Sequence, residues 1–218
     1  MKHLKTYRIF ESVIIPNKIN YHPKELEKKN FKLWCKERGI DVVSYNEFYE
    51  SLSDEDKKTA PPKNGPPYFA LFHPIRKRPM FVFTKPASKQ TLESPMFINQ
   101  FNNIIEHEFV HAEQSKRRGK IEYTLPSPLD IKAYFSNKDE IMAFSYTIAN
   151  DLIQHNHIKH GLTAEDAIKN MTRHIMWKEI SKCDEEVKNR YKKYIYMYLK
   201  QLLNKEETDD IHSKINKK

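Results

Sequence analysis

Glycine and cysteine are both scarce in this chain. Four glycines occur in 218 residues, and neither a G-x-G-x-x-G sequence nor a P-loop is present, so a glycine-rich loop that holds phosphate groups is not expected. The two cysteines, Cys35 and Cys183, are far apart in sequence and form no C-x-x-C pair. This spacing argues against a disulfide framework and against a zinc site built from cysteines.

Long apolar runs are also missing. No window approaches the about 18 consecutive apolar residues that a membrane-spanning helix needs. The basic N-terminal stretch from Met1 to Lys5 is followed by no apolar segment typical of a secretory signal. We therefore expect a soluble, cytoplasmic protein of a reducing compartment, with no membrane partner.

Charge and aromatic content indicate a folded, basic protein. The apolar residues make up 39% of the chain, with twelve Phe and twelve Tyr, which is typical of globular rather than disordered chains. The formal net charge is +9. Its basic residues are spread along the chain, in clusters at Arg76-Lys77-Arg78, Lys116-Arg117-Arg118, Lys188–Lys193 and the tail. We therefore expect at most weak contacts with nucleic acid that have no sequence preference.

Residues 1–57 are predicted to contain a strand and helices. Tyr7–Ile15 is apolar and β-branched enough for a strand, and Pro23–Arg38 has the pattern of a helix that Gly39 ends. Ser44–Leu52 is predicted to be a second helix, because Ser44 and Glu47 have the spacing of a capping box. Residues 58–67 contain four prolines and are the best candidate for a linker or surface loop.

Two strands and a long helix are predicted next. Tyr68–Phe72 and Met80–Thr84 are strand-like and are joined by a segment that suits a wide hairpin turn. A long helix should begin at Ser94-Pro95 and end near Gly119, because apolar residues recur in it at helical spacing.

Three further helices are predicted before a polar, flexible tail at residues 205–218. The first should begin near Ser136, with Ser136 and Asp139 as its capping box. The second should cover Thr163–Ile180 and the third Cys183–Leu203. We therefore expect an α+β fold that is mostly helical.

The long helix contains the sequence His107-Glu108-Phe109-Val110-His111, an H-E-x-x-H motif. Residues four apart lie on the same face of a helix, so the two imidazoles can bind one metal ion. Glu108 follows the first histidine and can act on a water molecule at the open side of that metal. The apolar flanks of the motif strengthen this interpretation, since buried polar side chains need partners.

A third ligand must come from another part of the chain, because catalytic zinc sites usually have three protein ligands. Glu140 is the preferred candidate, since it lies in the first turn of a later amphipathic helix. Asp139 is the next candidate, and a histidine is the third. His155, His157 and His160 cluster in sequence, but their spacing does not place all three on one helical face.

The two motifs together resemble a known group of enzymes. His107-Glu108-x-x-His111, followed by Glu140-x-x-Ala143, is similar to the zincin metallopeptidases of the gluzincin type, and more distantly to the ImmA/IrrE-type peptidases that bacteria and phages encode. The resemblance implies a zincin-like domain over residues 68–204, with a small antiparallel sheet beside the H-E-x-x-H helix. It also implies that Met80–Thr84 is an edge strand along which an extended substrate lies.

The function we predict is zinc-dependent hydrolysis of a peptide bond in a protein or peptide substrate. One zinc ion per chain would be held by His107, His111 and Glu140, and Glu108 would be the general base. Tyr123, Tyr134 and Tyr146, or one of the three clustered histidines, could polarise the substrate carbonyl.

Two other classes of protein are compatible with the same motifs. One is a structural or assembly protein that keeps the zinc site without turnover, associated with a virion if a phage encodes it. The other is a basic nucleic-acid-associated protein in which zinc only joins helices. An intact Glu108 favours the enzyme, because a structural site has no need of a base.

Overall fold

The computed structural model describes residues 16, 18–24, 30–58, 60–73, 75–118, 130–154 and 164–215, without the side chains of residues 118, 165–167 and 204–215. The predicted strand Tyr7–Ile15 lies outside these residues. The described chain forms two compact units, which meet in sequence between residues 130 and 131. Residues 60–67 lie within the first unit, and the domain boundaries proposed from the sequence stay predictions.

The first unit combines helices with three strands. Its helices are α1 (Phe31–Glu37), α2 (Tyr45–Glu50), α3 (Asp54–Lys57), α4 (Lys89–Leu92) and α5 (Pro95–Arg118). Its strands are β1 (Asp41–Ser44), β2 (Tyr68–His73) and β3 (Arg78–Phe83). The prediction of a mostly helical α+β fold with a small sheet is confirmed by this unit and by the helices of the second.

The sheet is mixed, with strand order β1-β3-β2, so the prediction of an antiparallel sheet is wrong. β2 pairs antiparallel with β3, as predicted, but β1 pairs with the other side of β3 in parallel, from Asp41 opposite Met80 to Ser44 opposite Phe83. Sequence analysis missed β1 because four residues are too few to show a strand pattern. The expected edge strand at Met80–Thr84 is also wrong, since β3 is the central strand.

Side chains alternate between the two faces of this sheet, as a strand requires. On one face, Phe81 packs in a cluster with Trp34 of α1 and with Phe101 and Ile105 of α5. On the other face, Met80 and Val82 pack with Phe48 of α2. Each buried aromatic ring of this kind stabilises the fold by about 1.5–3 kcal/mol relative to an exposed one. The first cluster therefore fixes α5, which carries the H-E-x-x-H motif, against the sheet.

The helix predicted at Pro23–Arg38 is not continuous. Asn30 has an extended backbone and its Oδ1 accepts a 2.8 Å hydrogen bond from Leu33 N, so a helix begins afresh at Phe31. Leu33 of this helix is 43% exposed, whereas Trp34 is buried. Gly39 ends the helix with φ +73°, a conformation that glycine adopts without strain.

Two predicted helix starts in the first unit are confirmed. Ser44 and Glu47 form the predicted capping box at α2, where Glu47 Oε2 accepts from Ser44 N at 2.7 Å and Ser44 Oγ from Glu47 N at 3.3 Å. Hydrogen bonding of the Glu47 carboxyl to the backbone N–H of Ser44, and to the Ser44 side chain, holds the pKa of Glu47 below its usual value. Ser94 Oγ accepts from Phe97 N at 3.2 Å, and Pro95 occupies the first position of α5.

The second unit is helical in its described residues. Its elements are α6 (Ile131–Ser136), α7 (Lys138–Gln154), α8 (Ala164–Asn170), a 3-10 turn (Met171–Arg173), α9 (Trp177–Ile180) and α10 (Glu185–Ile215). α7 packs along α10, with the ring of Tyr146 edge-on to that of Tyr198 at 5.4 Å. Tyr191 of α10 donates a 3.0 Å hydrogen bond to the carbonyl oxygen of Phe135.

The start of α7 differs from its prediction. Ser136 is the last residue of α6, so a capping box of Ser136 and Asp139 does not form. Asn137 occupies the junction, and its Oδ1 accepts a 2.8 Å hydrogen bond from Asp139 N. The sequence offers serine and asparagine side by side, and both are good caps. The preceding helix α6 decides between them, because it includes the serine.

The helix predicted at Thr163–Ile180 is broken into α8, a 3-10 turn and α9. Its predicted first residue, Thr163, lies outside the described residues. At the break, His174 has an extended backbone and its Nε2 lies 2.9 Å from Asp151 Oδ2 of α7. This tertiary contact is invisible to helical periodicity, and Ile175, directly after His174, is 81% exposed.

The last helix is shifted and longer than predicted. It begins at Glu185 rather than Cys183 and continues to Ile215, past the predicted end at Leu203. The backbone of residues 205–215 is therefore helical, and the proposed flexibility of the tail stays a prediction. Within the described part of the chain, none of the helices combines the length and hydropathy required to span a membrane.

Candidate metal centre

The two histidines of the H-E-x-x-H motif lie on one face of α5, as predicted. Their ring centroids are 5.0 Å apart, with the ring planes at 76°. The helix is fixed by its Ser94 cap and by the packing of Phe101 and Ile105 against the sheet. His107, the first histidine of the motif, follows two residues after Ile105 of this apolar anchor.

All three polar residues of the motif are buried. His107 and Glu108 are each 7% exposed, and His111 is 4% exposed. Burying imidazole and carboxylate groups is costly unless they are hydrogen-bonded, ionically paired or bound to a metal. Their burial thus separates them from an ordinary polar helix surface, on which a glutamate and two histidines would be solvated.

Glu140 joins the two histidines in a compact group. One ligand atom from each of His107, His111 and Glu140 lies within 4.8 Å of the other two, and Glu140 is 3% exposed. Asp139, the alternative from the sequence, is half-buried and outside this group. Among the described residues, this is the one group of three such side chains within that distance. Its role as a ligand set stays a prediction.

The chemistry of this group fits zinc. Two imidazole nitrogens and one carboxylate oxygen form a common set of protein ligands in catalytic zinc sites. Hard cations such as magnesium and calcium instead prefer oxygen ligands throughout. Glu108, next to His107 in sequence, is not a member of the group, and its role as a base stays a prediction.

Gln114 is a site residue that sequence analysis missed. Its Oε1 lies 2.9 Å from Nδ1 of His111, and its side chain is only 4% exposed. The signal was present in the sequence, since residues three apart on a helix can touch.

A second polar contact was missed on the preceding turn. Glu106 is 2% exposed, and its Oε1 accepts a 2.9 Å hydrogen bond from the backbone of Ile19. Asn102, four residues earlier, accepts from the backbone of Tyr21 at 3.1 Å. These side chains attach the segment around residues 19–21 to α5, directly before His107. No sequence pattern could reveal partners more than 80 residues apart.

The structure describes only some of the residues proposed to polarise a substrate carbonyl. Tyr123 and the three histidines at positions 155, 157 and 160 lie outside the described residues. Tyr134 is half-buried against the ring of Phe144, and Tyr146 is fully buried against Tyr198. Their proposed part in polarising a substrate carbonyl stays a prediction.

Comparison with known proteins leaves the family open. No family model, curated protein or solved structure matches the chain. The resemblance to gluzincin-type peptidases accordingly stays an interpretation of two short motifs. Three features of the molecule itself bear on function: the spacing of the histidines in α5, the burial of the motif and the position of Glu140.

Proposed function

We propose that this protein is a zinc-dependent peptidase that hydrolyses a peptide bond in a protein or peptide substrate. The observation that carries the proposal is the buried group of His107, His111 and Glu140, with ligand atoms within 4.8 Å of one another. Glu108 lies on the same helix, between the two histidines in sequence. Metal binding alone would need only the three ligands. The additional carboxylate of Glu108 supports hydrolysis.

Each of these side chains has a distinct part in the proposed reaction. His107, His111 and Glu140 would hold one zinc ion, which supplies Lewis acidity that activates a water molecule and polarises the scissile carbonyl. Glu108 takes a proton from the attacking water as it adds to the carbonyl carbon. The same carboxyl group then delivers that proton to the nitrogen of the leaving amine.

The main alternative is a structural or assembly protein that keeps the metal site without turnover. Structural zinc sites are closed by four protein ligands, and catalytic sites keep one position open. The group found among the described residues has three members, and the intact Glu108 favours the enzyme, because a structural site has no need of a base. The nucleic-acid-associated alternative depends on the net charge of +9 alone; in the basic cluster at the end of α5, Lys116 pairs with Glu113.

The decisive experiment compares two Glu-to-Gln changes on the same helix. Glu108→Gln keeps the size of the side chain and removes the base. It should retain zinc and thermal stability, and its activity should fall by about 10²–10⁴-fold. Glu113→Gln is the matched control, because Glu113 is partly exposed and pairs with Lys116. Activity is measured on a broad peptide library with the zinc-loaded protein.

Two results would contradict the proposal. The first is a zinc-loaded wild type that cleaves nothing in the library and has a fourth protein ligand on the metal. The second is a Glu108→Gln variant as active as the wild type, which would show that another group activates the water. Loss of activity in the Glu113→Gln control would point to damage to the helix rather than to loss of the base.

A further inference from the structure

The contact between Gln114 and His111 restricts the chemistry of the histidine ring. Gln114 Oε1 is 2.9 Å from His111 Nδ1, at hydrogen-bonding distance, and both side chains are 4% exposed. An amide oxygen carries no hydrogen and can only accept. With the amide in this orientation, the imidazole Nδ1 is the donor.

A proton on Nδ1 determines the state of the other ring nitrogen. A neutral imidazole carries one N–H, so the Nε2 of His111 is left with a lone pair, which is the form that binds a metal. The opposite orientation of the amide would place its NH₂ against Nδ1, and Nε2 would then hold the proton. The direction of this single hydrogen bond thus decides which nitrogen is available.

We propose that Gln114 is a positioning residue that holds His111 in its Nδ1–H tautomer and turns Nε2 toward the metal. The inference depends on the proposed function only insofar as the site takes up a metal. Partners of this type orient ligating histidines in zinc proteins and increase the basicity of the nitrogen that binds. A glutamine three residues after the ligand supplies this partner from the same helix, independently of the substrate.

The tautomer can be measured directly in the metal-free wild type. Histidine-labelled protein is studied by two-bond nitrogen–proton NMR, at a pH well above the usual histidine pKa of about 6.5. The expected result is a protonated Nδ1 and an unprotonated Nε2 in His111. A proton on Nε2 would overturn the proposal. This measurement needs neither bound zinc nor enzymatic activity.

Zinc affinity tests the consequence, in three variants of the full chain. Gln114→Met has a similar volume but no acceptor, and should weaken zinc binding about 10- to 100-fold in competition with a chelator. Gln114→Glu keeps an acceptor oxygen and should bind zinc at least as tightly as the wild type. Glu113→Gln changes the neighbouring residue, whose partner is Lys116, and should leave the affinity unchanged.

The outcomes separate this proposal from that of a peptidase. A folded Gln114→Met variant with wild-type zinc affinity, or a Gln114→Glu variant as weak as the Met variant, would overturn the role of Gln114. If the Met variant does not fold, the tautomer in the wild type decides. A wild type that takes up no zinc would contradict the proposed function, whereas the tautomer measurement would still decide the role of Gln114. Zinc uptake without peptide cleavage would leave the affinity comparison valid.

Discussion

Glu106 and Ile19 are 87 residues apart in sequence and are joined by a buried 2.9 Å hydrogen bond, from the backbone N–H of Ile19 to Oε1 of Glu106. Glu106 directly precedes the first histidine of the H-E-x-x-H motif. This carboxylate therefore serves the fold, whereas the neighbouring Glu108 is proposed to serve the chemistry. Glu106 and Glu108 point to different sides of α5, because each residue of a helix is rotated by about 100° from the one before it.

Removing the Glu106 carboxylate should destabilise the protein. Glu106→Ala leaves the buried amide of Ile19 without this acceptor, which should lower the free energy of unfolding by about 1–3 kcal/mol. Glu106→Gln keeps an acceptor oxygen and should lower it less. The measurement is the midpoint of urea denaturation, with Glu113→Gln as the surface control. Equal stability of the Ala variant and the wild type would show that the hydrogen bond contributes little.

Zinc content tests the central assumption about the site. Protein purified without a chelator should contain about one zinc per chain, and changing His107 and His111 together to alanine should abolish it. The reason is that each histidine supplies one of the proposed ligand atoms. Metal analysis by mass spectrometry, before and after dialysis against zinc, provides the measurement. A wild type that contains and takes up no divalent metal would refute the site.

The third ligand is tested by changing two neighbouring carboxylates. Glu140→Ala should weaken zinc binding about ten-fold or more, because one of three ligands is lost. Asp139→Ala should leave the zinc affinity near that of the wild type and cost about 0.3–1 kcal/mol of stability through the helix dipole. Chelator competition measures the affinity, and the circular dichroism melting curve measures the stability. The reverse order of affinities would identify Asp139 as the ligand.

Stability should depend on pH through His73 at the end of β2. Burial, assisted by the positive charge of Arg76, lowers the pKa of His73, whose Nδ1 accepts a 3.2 Å hydrogen bond from Arg76 N. The folded protein then binds fewer protons than the unfolded chain. The contribution of His73 is complete above the unfolded pKa of about 6.5 and is lost as the pH falls toward the folded pKa.

A non-titrating replacement isolates this effect. His73→Asn keeps a side-chain acceptor and removes the titration, so its unfolding free energy should fall less between pH 6.5 and the folded pKa. Urea denaturation across that pH range compares the variant with the wild type. A folded-state pKa of His73 at or above its usual value, measured by NMR, would contradict the prediction.

Sequence patterns best predicted the structural features whose interacting residues lie close together in the chain. The Ser44–Glu47 capping box and the Ser94 cap each join residues three apart, and both were recognised. The misjudged elements depend on distant partners. β1 exists because β3 offers it a parallel edge, and the helix predicted at Thr163–Ile180 breaks where His174 contacts Asp151. The alternative conformations of these segments have similar local energies, so tertiary contacts decide which one forms.

The candidate site shows the same division. The spacing of His107 and His111 alone determines that they share a helix face, because helical geometry is local. The motif alone likewise identifies Glu108 as a potential base. Only the tertiary structure brings Glu140, rather than Asp139, into the described group with the two histidines, and the role of Glu140 as a ligand stays a prediction. The position of the Gln114 amide against His111 was decided the same way, since side-chain burial and packing select one of several conformations that the helix permits.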